Sequence, residues 1–255
     1  MAIADKLQTV AENQQKVYEA GKKAEYDAFW DAYQDYGNRT NYSHAFGGGG
    51  WTKNTIHIKY PINFPEEKDQ WTRNNMSMFE RCNYLHYSSP SDAIDFTEIC
   101  KMIDFSKCKS ATNIFRNAQN IFNITCDFSN ALALSDAFNS SDGGTRIDHI
   151  KLKVTEKCTN FSNTFYYCKQ LTHLTFLEGS CIAAKIAFSY SPLNKDSIVN
   201  IINTLSSNTS NLSVSFLLSA VNNAFETSPG VVDGSTSAEW NALIATKPNW
   251  TISLV

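Results

Sequence analysis

The sequence predicts an α/β chain: a right-handed solenoid of short repeats, preceded by a long N-terminal helix and closed by an α/β C-terminal cap. Three observations predict it. Phenylalanine recurs at Phe115, Phe138, Phe165 and Phe188, at intervals of 23, 27 and 23 residues. A small apolar residue stands seven places before each, at Cys108, Ala131, Cys158 and Cys181. Short apolar patterns of strand type follow, clearest at Leu171, Leu174 and Phe176. One unit of about 23 residues cannot bury its own apolar side, whereas stacked units bury a continuous core.

Residues 1–37 form the first element. The stretch 2–36 has no proline and is rich in Ala, Glu, Lys and Gln, all good helix formers. Ile3, Leu7, Val10, Gln14, Val17, Gly21, Ala24 and Ala28 follow an unbroken 4-3 spacing, the seam of a coiled coil. Tyr26, Phe29, Trp30, Tyr33 and Tyr36 then form an aromatic cluster. Two readings stay open. The seam joins chains as a homo-oligomer through residues 3–28, as a parallel trimer, or it folds back as an intramolecular cap. The run KVYEAGKKAEYDAFWDAYQ at 16–34 resembles the N-termini of prophage-encoded tail-region proteins of gut Firmicutes.

Residues 38–70 read as a glycine-containing linker and entry strand. Gly37 stops the helix by tolerating positive φ. The four glycines at 47–50 are no phosphate loop, because no Lys-Ser/Thr follows them. Trp51, Ile56, Ile58 and Tyr60 suit a strand closed by Pro61 and Pro65, and 66–69 is a solvated charge run.

The repeats span 71–193. A weaker first unit centres on Phe79, with Cys82 and Leu85 after it, and an insertion at 87–99 separates it from Phe115. Four residues before the later phenylalanines stand Ala111, Leu134, Phe161 and Ala184. Six after lie Ile121 and Leu171, with Leu193 one place early. SerAspGlyGly at 141–144 lengthens the middle interval and moves the strand to Ile147, Ile150 and Leu152. The Asn, Ser and Thr between these positions suit turns, where their side chains bond nearby backbone. The frame small-x6-Phe-x2-Cys-x2-Leu-x2-Leu, best kept at 158–176, resembles leucine-rich repeats of the BspA-like class. The resemblance implies a leucine-rich-repeat-like solenoid and a role in adhesion or protein binding. It implies no catalytic or ligand residue.

Residues 194–255 read as the C-terminal cap. Ile198, Ile201, Ile202 and Leu205 share one helix face. Leu212, Val214 and Phe216 alternate as a strand. Helices are expected around Val221 and Trp240, and Trp250, Ile252 and Leu254 form a last strand.

The net charge of −3 and the scattered Lys and Arg give no field for nucleic acid. No run of eighteen apolar residues predicts a membrane span. The N-terminus lacks the apolar core of a secretory signal, so cytoplasmic synthesis is expected, with virion association compatible. Seven cysteines in that setting read as thiols. Dispersed histidines and no C-x-x-C pair predict no metal site, and nothing predicts a cofactor.

Three groups of residues invite chemistry. Asp104 and Asp127, in AspPheSer at 104–106 and 127–129, are one repeat apart like paired carboxylates, although capping of local backbone is the stronger reading. His149 and His173 fall on neighbouring strands. Tyr166, Tyr167 and Tyr190 near the turns suit sugar binding, against which rim packing is expected for at least two. No catalytic residue is assigned. The expected function is a non-enzymatic recognition module for a protein or glycan surface, phage or prophage tail-associated or in bacterial surface adhesion. The alternatives are an intracellular interaction scaffold and a polysaccharide-cleaving solenoid enzyme.

Overall fold

A computed structural model describes residues 62–63, 94–95, 103–118, 121–141, 147–209 and 211–255. The N-terminal helix with its seam, the glycine-containing linker, the Phe79 unit, Cys82 and Cys100 lie outside the described residues. The chain divides into two units, Met1–Thr40 and Asn41–Val255. The described residues all lie in the second, which mixes small parallel sheets with few helices.

Among the described residues every strand pair is parallel. Strands β2 (Ile94–Asp95), β4 (Ile121–Asp127), β5 (His149–Lys153) and β6 (His173–Phe176) form one sheet in the order β2-β4-β5-β6. Strands β1 (Ile62–Asn63) and β3 (Ile103–Asp104) form a second. Period-two alternation sets the inward face. Ile124, Ile150 and Leu174 stand in register and are buried, as are Cys126, Leu152 and Phe176 one pleat further. Lys151 and Thr175, between them, are exposed.

The phenylalanines form a second column. The Phe115 and Phe138 rings stack at 5.5 Å and 12°, and Phe138 on Phe165 at 5.6 Å and 5°. Phe165 meets Phe188 at 5.0 Å and 30°. All four are fully buried. Their own backbone holds them at this spacing. The N–H groups of Ala111, Asn113, Phe115 and Asn117 donate to the carbonyls of Ala133, Ser135, Ala137 and Asn139. Those of Leu134, Asp136, Phe138 and Ser140 donate onward to Asn160, Ser162, Thr164 and Tyr166. The turns are therefore a ladder of their own.

This ladder needs left-handed residues. Two places before each of the first three phenylalanines, Asn113, Asp136 and Asn163 take φ of 56°, 54° and 53°. Asn and Asp adopt this region more readily than other L-residues, since a short polar side chain bonds locally. The Asn-rich turns have this physical cause. The small residues seven places before the phenylalanines are also buried: Cys108, Ala131 and Cys158 fully, and Cys181 by half. The five cysteines among the described residues are free thiols.

The phenylalanine column does not end at Phe188, where the sequence pattern stops. Strands β7 (Ile186–Phe188), β8 (Leu212–Phe216) and β9 (Trp250–Leu254) form a third parallel sheet. It sets Phe216 opposite Phe188, rings 5.7 Å apart. Trp240 then closes on Phe216 edge-on at 6.2 Å. The interval lengthens because helix α1 (Lys195–Thr204) lies between.

Helix α1 begins where Asn194 accepts from the Ser197 N–H. It packs along β6 through Ser197 and Asn200. Two shorter helices follow, α2 (Leu218–Ala224) and α3 (Ala238–Ala245). Lys247, just after α3, is buried, and its Nζ donates to the carbonyls of Asn203 and Leu205. A cation there satisfies carbonyls at the C-terminal end of α1 and suits its dipole. Gly234 lies so close to α2 that a Cβ would meet the Asn222 carbonyl oxygen at 2.5 Å.

Candidate functional site

Tyr167 and Tyr190 each stand two places after a stacked phenylalanine, Phe165 and Phe188. They share a column for that reason, outside the buried one. Their rings stack at 4.5 Å and 24°. Tyr166 meets both edge-on, at 4.6 Å from Tyr167 and 5.1 Å from Tyr190. Such edge-to-face geometry is favoured by the ring quadrupoles. Tyr166 and Tyr190 are each 37% exposed and Tyr167 is half-buried. All three thus pack on each other and still present a surface.

Tyr167 has φ 59°, the left-handed region. For a bulky side chain this is an outlier, with a cost on the order of 1–3 kcal/mol. Asn117 holds the equivalent place two after Phe115, at φ 55°, with a residue type that suits it better. Lys169 lies over the Tyr167 ring, its Nζ 4.9 Å from the centroid. Desolvation by the neighbouring rings raises the Tyr166 phenol above its ordinary value, and the hydroxyls of Tyr190 and Tyr167 add to the shift. The sequence showed the three tyrosines but not Lys169, which looks like any exposed lysine until the Tyr167 ring is found beneath it.

The other candidates fare differently. Asp104 ends β3 and Asp127 ends β4, strands of different sheets. Asp127 Oδ1 accepts from the Ser129 N–H at 2.8 Å, the local capping that the AspPheSer turn suggested. His149 and His173 do stand in register on β5 and β6, with rings stacked at 4.0 Å and 7°. Asp148 Oδ1 lies 2.9 Å from His149 Nδ1, and Thr172 Oγ1 lies 2.8 Å from His173 Nδ1.

Burial pushes the Cys108, Cys158 and Cys168 thiols up to about 12, against the smaller opposing effect of neighbouring hydrogen bonds. They are core residues in the protonated form, as buried cysteines commonly are. No helix among the described residues is long and apolar enough to cross a membrane. Among the described residues, the tyrosine cluster is the place where exposed aromatic surface, backbone strain and a cation coincide. Compared with protein-family models, with curated proteins and with solved structures, the chain matches none of them.

Proposed function

We propose that this chain is a non-enzymatic recognition module that binds a protein or glycan surface through Tyr166, Tyr167 and Tyr190. The observation that carries the reading is Tyr167. A bulky ring is held in a strained left-handed conformation and packed where it stays partly exposed. Strain of this kind gathers at binding and switch regions. Tyrosine gives a large contact area at low entropic cost, and Ser and Asn beside it give adaptable hydrogen bonds. The scaffold in this reading is a leucine-rich-repeat-like right-handed solenoid. The parallel strands, the stacked phenylalanines and the unit-to-unit hydrogen bonds of the turns support it. The repeat frame at 158–176 resembles BspA-like repeats, which suits adhesion. The segment 16–34 resembles prophage tail-region proteins, which suits a tail or bacterial surface setting.

The test is binding of the intact chain to bacterial surface polysaccharides and purified surface proteins, beside a Tyr166→Ser/Tyr190→Ser variant. Saturable binding that the variant loses while it remains folded, its melting temperature lowered only by the lost ring contacts, is expected. Equal binding by the variant would remove the cluster as the recognition surface. Release of shortened polysaccharide would overturn the non-enzymatic reading.

A further inference from the structure

We infer that the tyrosine cluster is a subsite for a saccharide carrying a carboxylate. The inference rests on the reading of the cluster as a recognition surface and gives its ligand a chemical class.

The size of the surface argues first. Protein interfaces take roughly 800 Å² per partner around an apolar core. The remaining exposed large apolar residues among those described are Leu132, Leu218, Val231, Val232 and Val255. None lies on the segments 161–170 and 186–191 that build the cluster. Three phenol rings with no other exposed large apolar residue on these segments do not make such a core. They match a sugar ring, which offers a face of C–H groups to an aromatic ring and hydroxyls at its rim. The positive C–H edge meets the negative face of the phenol. Each tyrosine hydroxyl both donates and accepts, which is the bonding pattern of sugar hydroxyls.

Charge argues second. Residues 157–177 and 179–195 contain no Asp or Glu, although the chain as a whole has a net charge of −3. Lys169 is exposed and makes no ion pair among the described residues. Its ammonium lies over Tyr167 in an exposed cation–π contact, a weak one. It is free to turn toward an anion bound at the rim of the rings. A carboxylate takes a charge-assisted hydrogen bond from it while the sugar ring stacks. A neutral sugar leaves that cation unused.

The experiment uses the full chain and a panel of galacturonate, glucuronate, mannuronate and sialylated oligosaccharides, each paired with its methyl ester. Calorimetry is expected to show at least one acidic probe binding about tenfold or more tightly than its ester. Lys169→Met should abolish that preference and keep the weaker binding of the ester. Tyr190→Ser should weaken both forms. Equal affinity for acid and ester, or a preference that survives Lys169→Met, overturns the inference and leaves the recognition surface standing. Binding of no saccharide at all also overturns it. In that case a protein partner lost on Tyr190→Ser would keep the recognition surface, and unaltered partner binding would remove that as well.

Discussion

Asn200 of α1 completes both backbone groups of Phe176 on β6. Its Oδ1 accepts from the Phe176 N–H at 2.7 Å, and its Nδ2 donates to the Phe176 carbonyl at 3.1 Å. One pleat earlier, Ser197 Oγ accepts from the Leu174 N–H at 2.9 Å. A helix thus takes the place of the next strand. An open strand edge is a template for unwanted pairing, and covering it is one of the established remedies. The side chains are an amide and a hydroxyl because those can present donor and acceptor at one helix position each.

Asn200→Ala should therefore destabilise the protein by about 1–3 kcal/mol, the cost of leaving partly buried donors and acceptors unsatisfied. Urea denaturation of variant and parent measures it. Stability unchanged within error would mean that water replaces the amide without loss.

Phe165 sits between two rings, Phe138 at 5.6 Å and Phe188 at 5.0 Å. Phe165→Ala removes the middle of the column and leaves a cavity that neighbours on both sides cannot close. The expected loss is about 3–5 kcal/mol. The denaturation midpoint should fall without a change in slope.

Gly234→Ala should also destabilise. The added Cβ would lie 2.5 Å from the Asn222 oxygen, and 2.6 Å from both the Val221 oxygen and the Phe225 carbonyl carbon. These are backbone atoms of the α2 end, so relief requires the 3-10 turn Gly234–Thr236 to move. A cost of about 1–3 kcal/mol is expected from such overpacking. Thermal melting of the variant checks it.

The cysteines predict a pH dependence. In the folded chain the Cys108, Cys158 and Cys168 thiols ionise near 12, against an ordinary value of 9.0. Below pH 9 both folded and unfolded states hold the proton, so stability is unaffected. Between 9 and 12 the unfolded chain ionises first, and stability falls as pH rises. A thiol reagent at neutral pH should label the half-buried Cys181 well before these three. Rapid labelling of Cys108 in the native protein would contradict its burial.

The phenylalanine column was legible because it repeats at a nearly constant interval with one residue type. The strands at 149–153 and 173–176 were legible for a different reason, the alternation of Ile150, Leu152, Leu174 and Phe176 with polar residues. Phe216 was not, because α1 fills the interval and Thr209 stands where the frame has a small apolar residue. The left-handed column was half visible. Asn113, Asp136 and Asn163 share a place, but the fourth unit has Ile186 there, since β7 replaces the turn. Clustering of Tyr167 and Tyr190 follows from their equal offset from stacked phenylalanines. Tyr166 joins them from the neighbouring offset, which no sequence period marks. The seam at 3–28 lies outside the described residues.

Tyr167→Asn tests the central claim most directly, because it puts at φ 59° the residue type that Asn117 already places at φ 55°. The strain is relieved while one ring of the cluster is lost, so stability should be unchanged or raised. Affinity for the ligand that the parent chain binds should fall about tenfold or more, roughly 1.4 kcal/mol. Parent-like affinity in a folded Tyr167→Asn chain would contradict the account, since the strained ring would then serve no recognition.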